Sequence, residues 1–449
     1  MFSLNQLKRY YINSPLWLKN LYASIPFDIR NGSEYRKWRE FLNKEINIEE
    51  YEILKMKEAV SYAYENSNYY NNLFKKLDIH PHDINSKKDF LQLPLIDKGI
   101  VRKNFNDFVV KSYPKKKIVR SITGGSSGSP MEYIQSKNVW YKEVAYYMDF
   151  FNKYDATPSD LKAAFRGGSF KNTDKKIYWM FNPVNNEMIF SSSHINANTI
   201  RDYVNKLNQV KPRFFHGFPS SMLFLMHYMK AKNLSFDFKI KAIFLVSEAF
   251  VEEDIEQLYI YFNCPIAATY GHSERLVFGR SSGDFISGYQ IDKRYGLFEL
   301  IDHKDKVINS NNIRGEIVGT GFDNYAMPLL RYKTNDFTEY DDFNNNMINL
   351  IESNRNQLYI DCNDSSRIAF SALIKASEML EMGIVKYQII QSKPGICQLL
   401  IIPEKKFNER LLRDNLNKKI NGRLKFIIKI TDKFFLTNRG KCQLLVKEY

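Results

Sequence analysis

Thr123-Gly124-Gly125-Ser126-Ser127-Gly128-Ser129-Pro130 follows a short apolar run, Ile118-Val119-Arg120-Ser121-Ile122. Three of these eight residues are glycines and four carry hydroxyls, so the segment cannot pack a core. Glycine lets the main chain approach a ligand closely and take positive φ. Backbone N–H groups and hydroxyls can then converge on an anion, most often a phosphate. Taken alone, the segment reads better as a flexible surface loop.

Four further segments shift that balance. Thr269-Tyr270-Gly271-His272-Ser273-Glu274 follows a strand-like run over 264–268. Met327-Pro328-Leu329-Leu330-Arg331-Tyr332-Lys333-Thr334-Asn335-Asp336 ends another apolar stretch, and Ile351-Glu352-Ser353-Asn354-Arg355 comes soon after. Thr437-Asn438-Arg439-Gly440-Lys441 lies close to Tyr449. Each is weak alone. In this order and spacing, from about Pro26 onward, the chain resembles the adenylate-forming ligases. Within them it is most similar to the phenylacetate–CoA ligase-like branch, which includes proteins of capsular polysaccharide biosynthesis. The fold this implies is α/β: a large N-terminal α/β region of several subdomains over 1–352, helical to about residue 100, and a small mobile α+β lid over 353–449.

Adenylation joins a carboxylate to the α-phosphorus of ATP and expels pyrophosphate. Both reactants are anionic, so the reaction needs charge neutralisation and alignment more than a covalent side chain. By the resemblance, Thr123, Ser126, Ser127 and Gly128 cradle the β- and γ-phosphates. Tyr270 stacks on adenine beside Gly271, Ser273 approaches the α-phosphate, and Glu274 coordinates Mg²⁺, a cation that often takes one carboxylate plus phosphate oxygens. Asp336 holds the ribose hydroxyls, Arg355 contacts the nucleotide at the hinge, and Lys441 arrives late to neutralise developing charge. His194, His216 and Arg166 lie on the acid-binding side, although each histidine reads equally as a satisfied core residue. The implied cofactors are ATP and Mg²⁺. The implied partners are a small-molecule carboxylate and an acyl acceptor: CoA, an amino sugar or an amino acid.

Six positions depart from the family pattern. Gly124 stands where serine is common and Met131 where many relatives carry lysine. Lys333 replaces arginine and Asn335 replaces glycine, asparagine being among the residues most willing to adopt the left-handed conformation. Asn354 replaces glycine and Leu358 an acidic pivot. The Lys333 and Asn335 replacements are tolerable; those at Gly124, Met131, Asn354 and Leu358 keep a catalytically degenerate scaffold as an alternative. An adenylyl transferase that moves AMP onto a cofactor hydroxyl is the other.

Composition narrows the rest. A chain of 449 residues with 44% hydrophobic and 15% aromatic content is too long for one core and too apolar to be disordered. It has no run of 18 uncharged apolar residues, and Lys8, Arg9 and Lys19 interrupt the start, so neither a membrane span nor a signal peptide is expected and the cytoplasm is the expected location. Residues 16–27 read as a helix packed on its own domain rather than as a peripheral membrane element. The net charge of +15 suits anionic ligands such as ATP, CoA or nucleotide sugars. Its one dense basic run is Lys115-Lys116-Lys117, with no nucleic-acid motif, so no nucleic-acid partner is expected. Cys264, Cys362, Cys397 and Cys442 form no CxxC pair and read as inert thiols. His80 and His82 flank Pro81 in what reads as a solvated turn.

Helical spacing of apolar residues covers 34–76. Ala242 to Val246 reads as a buried strand ending at Ser247-Glu248, residues 252–262 as a helix, and the run into Tyr270 as the next strand. That order marks a parallel βαβ unit, whose strand C-termini carry ligands and so place Ser247 and Glu248 at the nucleotide. A polar turn falls at 341–346 and a hinge at 353–356. Strands over 384–391, 396–403 and 424–431 with a helix over 406–420 complete the chain.

Overall fold

The computed structural model describes residues 14–122, 131–166, 170, 176–195, 197–247, 250, 252–353, 359–374, 378–379, 382–403, 407–431, 435 and 445–449. The Thr123 to Pro130 loop lies outside them, as do Glu248, Asn354, Arg355, Leu358, Lys441 and Cys442. The chain forms two compact units: Met1–Ser121, Met131–Pro158 and Ala268–Ser353 make the first, and Ile122–Pro130, Ser159–Ala267 and Asn354–Tyr449 the second.

In the first unit the helical stretch expected over 34–76 is three helices, Phe27–Leu42, Ile48–Asn66 and Asn68–Leu77. Gly32, at φ 77°, kinks the first. Asn47 caps the second by accepting from the Glu49 and Glu50 amides, and those two carboxylates sit where the helix dipole favours them. Asp78, at φ 53°, ends the third. His80 then caps a short turn, its Nδ1 accepting from the His82 amide, as befits a solvated turn. The helices Phe27–Leu42 and Lys137–Asn152 close over Tyr35, Leu42, Ala145, Tyr146, Phe278 and Tyr295.

The expectation that residues 16–27 pack on their own domain is met at Phe27, which lies against this core, but not by the helix that precedes it. The helix there, Leu16–Ala23, buries none of its residues. Its apolar side chains Trp17, Leu18, Leu21 and Tyr22 share one face, opposite Lys19 and Asn20, and that face is exposed.

Two antiparallel sheets complete this unit. One has the order Gly296–Ile301, Gly315–Gly321, Tyr332–Thr338, Glu352–Ser353. In the other, the chain from Ala268 to Gly271 pairs with Phe278–Arg280, which pairs with Gly288–Ile291, then Met347–Asn349 and Tyr340–Asp342. The polar turn expected at 341–346 joins the last pair, with Asn346 at φ 53°.

The entry to Tyr332–Thr338 is fixed by Arg331, which is 4% exposed and sits at φ 49°. Its Nη2 lies 2.8 Å from Glu299 Oε2, and its Nε donates to both Glu299 oxygens at 3.2 Å. Its Nη1 donates to the carbonyls of Leu91 and Leu93, and its amide donates to Thr320 Oγ1 at 2.8 Å. Burial pushes the Glu299 carboxyl up, against the pull of Arg331.

The second unit holds parallel strands in the order Glu187–Phe190, Lys162–Phe165, Phe214–Gly217, Ala242–Leu245, with Trp179–Asn182 antiparallel at the edge. Helices Ile200–Val210 and Pro219–Ala231 are the crossovers. Helix Glu252–Phe262 matches the one expected over 252–262. Ala242–Leu245 is buried throughout, and Ser247, exposed and at φ 65°, follows its C-terminal end as expected. Residues 360–445 contain a core of their own, including Ile360, Leu373, Tyr387, Leu399, Leu412 and Leu445. Its sheet runs Lys425–Ile430, Ile396–Pro403, Ile384–Lys393, Leu445–Lys447, with helix Glu409–Ile420. The expected strands and helix are all present; the three-residue strand Leu445–Lys447 was not anticipated. Cys264, Cys362 and Cys397 are buried free thiols, and burial raises Cys264 and Cys397 to about 12, so they are inert.

Replacing Arg331 with methionine strands the Glu299 carboxylate in the core. We expect a loss of about 3–5 kcal/mol in urea denaturation, with much of it recovered in Arg331→Met/Glu299→Leu.

Candidate active site

The residues of the first unit converge around the strand Tyr332–Thr338. Between the pairs Glu316–Phe337 and Val318–Lys333, this strand advances four residues (337 − 333) while its partner advances two (318 − 316). The excess is a bulge, and Asn335 sits in it at φ 63°, the conformation its sequence position predicts. Side chains satisfy the backbone groups the bulge frees. The Asn335 amide donates to Glu316 Oε1 at 3.0 Å, the Asp336 amide donates to Thr334 Oγ1 at 3.2 Å, and that hydroxyl donates to the Ile317 carbonyl. Lys333 is tied to Asp305 at 2.7 Å and to Glu316 at 3.4 Å.

Two tyrosine–carboxylate pairs flank the bulge. Tyr270 donates its hydroxyl to Asp336 Oδ2 at 3.2 Å, and Tyr332 donates to Glu274 Oε1 at 2.9 Å. Both tyrosines and Glu274 are buried. Burial, reinforced by the Glu274 charge, pushes the Tyr332 phenol far above its ordinary value, so it stays a donor. Among the described residues no hydrogen bond reaches Asp336 Oδ1 or Glu274 Oε2. Each pinned carboxylate therefore keeps one oxygen for a ligand. That arrangement fits a hydroxyl donor at Asp336 and a hard cation at Glu274. No group of three His, Cys, Asp or Glu side chains is clustered among the described residues, so Glu274 offers one carboxylate rather than a protein-only cage.

The turn that carries Ser273 and Glu274 is held from behind. Its Arg275, at φ 57°, donates its amide to the His272 carbonyl at 2.9 Å. The Ser273 carbonyl accepts from Tyr133 Oη at 2.6 Å and from Gln135 Nε2 at 2.9 Å. Arg275 Nη1 donates to Gln135 Oε1 at 3.0 Å, and its guanidinium stacks 4.4 Å from the Trp140 ring centre. Tyr133 and Gln135 alternate on the strand Glu132–Ser136, so both face this turn. Met131, which opens that strand, is buried, so it does not replace the family's lysine as a phosphate partner. Sequence reasoning missed Tyr332, Tyr133, Gln135 and Arg275. The signal for Tyr133 and Gln135 was the period-two spacing just after Pro130.

In the second unit, His216 lies on the strand Phe214–Gly217 opposite Ala164 and Phe244. Gly217 is required there, because a Cβ would stand 2.4 Å from the Phe165 carbonyl oxygen. Burial, then the charges of Arg166 and Lys162, drive the His216 imidazole well below its usual value. Arg166 itself pairs with the buried Glu187 at 2.5 Å. His194 has a different setting. Its Nδ1 is 2.6 Å from Ser191 Oγ, its ring stacks on Tyr178 at 5.4 Å, and burial together with Arg423 lowers it to about 4. The structure thus brings Tyr270, Gly271, Ser273, Glu274 and Asp336 together in the first unit. It places His216 beside Arg166 in the second, which also holds His194 and Ser247. Thr123, Ser126, Ser127, Gly128, Glu248, Arg355 and Lys441 are outside the described residues.

The architecture has known counterparts. The chain is similar to a 2-hydroxyisobutyryl-CoA ligase in the postadenylation state in complex with 2-HIB-AMP, with a TM-score of 0.56 and 15% identity over 89% of each chain. It is also similar to that ligase in complex with 2-HIB-AMP and CoA in the thioesterification state, with a TM-score of 0.57 and 16% identity over 89% of this chain and 90% of the other. This is the fold of the adenylate-forming ligases. At the level of sequence, the chain is 26% identical over 435 residues to Protein CapK of Staphylococcus aureus, spanning 93% of this chain and 92% of that protein. No protein-family model matches the chain.

Within this adenylate-forming fold, the two depressed histidines make a pH prediction. Well above pH 6.5 an imidazole like His194 is neutral whether folded or unfolded and contributes nothing. Between 6.5 and about 4 the unfolded chain binds a proton that folded His194 refuses, so stability falls as pH falls. Urea denaturation from pH 4 to 7 should show His194→Asn, which keeps an acceptor toward Ser191, losing up to about 1.4 kcal/mol per pH unit of that slope. An unchanged slope would mean that His194 titrates normally in the folded protein.

Proposed function

We propose that the protein is an ATP-dependent ligase that activates a carboxylate as an acyl-adenylate and transfers the acyl group to a nucleophile. In the first step a carboxylate oxygen bonds to the α-phosphorus of ATP as the bond to the β-phosphate oxygen breaks, releasing pyrophosphate. In the second, a thiol or amine attacks the acyl carbon, AMP leaves, and the nucleophile's proton passes to solvent or a base. The observation that carries this reading is the pair of tyrosine-pinned carboxylates on either side of the Asn335 bulge. Asp336, with one oxygen held by Tyr270, is suited to receive a ribose hydroxyl beside an aromatic ring suited to adenine. Glu274, with one oxygen held by Tyr332, is suited to hold Mg²⁺, which would neutralise phosphate charge. The Ser273 hydroxyl, one residue before it, would meet the α-phosphate.

The residues outside the described set take their roles from sequence position. Thr123, Ser126, Ser127 and Gly128 would cradle the β- and γ-phosphates, and Ser247 and Glu248 would border the nucleotide. Arg355 would act at a hinge near 353–356, with residues 353–449 as a mobile lid that delivers Lys441 to the reacting carboxylate. His194 and His216, neutral at physiological pH, would give the acid hydrogen bonds and no positive charge. The acceptor would be CoA, as the ligase of similar fold suggests, or an amine on a sugar or amino acid. The sequence resemblance to the branch that includes proteins of capsular polysaccharide biosynthesis would place the product in surface polysaccharide synthesis.

Pyrophosphate release with MgATP across aryl, fatty, amino and uronic acids tests the reading, with AMP followed in the products. Release dependent on one acid class, with free AMP after an acceptor is added, is expected. AMP retained on a hydroxyl product would instead indicate an adenylyl transferase. Lys441→Ala should lower adenylation by about 10²–10³-fold with far-ultraviolet circular dichroism unchanged. Glu274→Gln should raise the Mg²⁺ concentration needed for half-maximal release; an unchanged requirement would remove Glu274 from the metal site.

A further inference from the structure

We propose that residues 16–29 dock the protein on an anionic membrane surface, a property independent of the ligase reading. Trp17, Leu21 and Ile29 are 66%, 61% and 60% exposed, and Leu16, Leu18 and Tyr22 are exposed beside them. Scattered apolar side chains are ordinary on a protein surface, whereas a contiguous run of this kind marks an interaction site. The helix Leu16–Ala23 contributes none of its residues to the core, and the run is anchored to the first unit at Phe27, which packs against its core.

Charge identifies the occupant. Residues 1–30 carry Lys8, Arg9, Lys19 and Arg30 against Asp28 alone, a balance of 4 − 1 = +3 in a chain of net charge +15. A second copy seated on the same segment would set +3 against +3, while an anionic bilayer would be attracted to it. The aromatic chemistry agrees. Trp17 and Tyr22 carry amphipathic rings of the kind that sit at headgroup level, and the Arg30 guanidinium lies 5.7 Å from the Tyr22 ring centre and 5.6 Å from that of Phe27. A cation is thereby fixed at the edge of the apolar run, where lipid phosphates would meet it. The helix has eight residues, about 12 Å, which is too short to cross a bilayer, and among the described residues no helix is long and apolar enough to do so. The segment would lie in the plane of the interface, with its apolar side chains among the upper acyl carbons.

The test is co-sedimentation of the full chain with vesicles of phosphatidylcholine alone and of phosphatidylcholine mixed with phosphatidylglycerol, at low and high salt. Binding to the anionic vesicles, weakened by salt, is expected. The doubly substituted Trp17→Ser/Leu21→Glu protein should partition about tenfold or more less well, with unchanged circular dichroism and pyrophosphate release. Both positions are exposed, so this variant leaves the core intact; Leu21→Ala alone supplies a milder second reading. Absence of binding to either vesicle, or equal binding by the doubly substituted protein, overturns the proposal. So does a dimer in analytical ultracentrifugation that Leu21→Glu abolishes, which would make a second copy the occupant. Binding that appears only after deletion of residues 2–13 would show that the chain's own start covers the run, and would overturn it too.

Discussion

The buried guanidinium of Arg331 is the constraint on which the first unit's site depends. A charge in the interior is tolerated only where it is paired and its remaining donors are satisfied. Arg331 meets that condition by gripping Glu299, two strands away in the same sheet, and the carbonyls of Leu91 and Leu93. Meeting it leaves the backbone little freedom. The residue after Arg331 is Tyr332, whose hydroxyl must reach Glu274, and the Asn335 bulge follows within the same strand. A slip of the strand by one residue would turn Tyr332 to the other face and leave the ion pair without its partners. The register that satisfies the buried charge is the register that assembles the two carboxylates.

The bulge shows how a local departure from regular pairing becomes a site. A regular strand would continue the ladder past Asp336 and offer its amide to a neighbouring strand. Two surplus residues instead turn the chain outward at Asn335, and Thr334 and Glu316 take up the amides that lose ladder partners. Asp336 is thereby aimed at Tyr270 on a different sheet of the same unit. Asparagine can stand where relatives have glycine because its cost in the left-handed region is small. The same replacement by a β-branched residue would not be tolerated.

Much of this was legible in the sequence, and the reasons for the remainder are physical. Helix Glu252–Phe262, the strands of residues 384–430 and the left-handed Asn335 follow from local periodicity and backbone preference, which a sequence displays directly. Glu274, Asp336 and Tyr270 were legible as members of ordered motifs. Their partners were not. Tyr332 sits inside a quoted motif, but its value lies in reaching Glu274, 58 residues earlier in the chain. Tyr133 and Gln135 act on a carbonyl 140 and 138 residues away. Contacts of that range leave no periodic trace. The histidines were ambiguous for a different reason: a histidine's charge is decided by its surroundings, and only the burial around His194 and His216 shows that both are neutral.

The N-terminal helix was misread because local pattern and tertiary fate are different questions. Five apolar residues among eight suggest burial. Burial also requires a partner surface shaped to receive them, and the helix Leu16–Ala23 buries none of its residues. A bilayer interface makes no such demand. It is a continuous apolar medium beneath a charged plane, and it accepts a short helix with one apolar face, with aromatic and cationic groups at its edge. Trp17, Tyr22 and Arg30 stand there, in the part of the chain where basic residues outnumber acidic ones four to one. The exposure that makes this segment costly in water is the property that would hold an otherwise globular protein at a lipid surface.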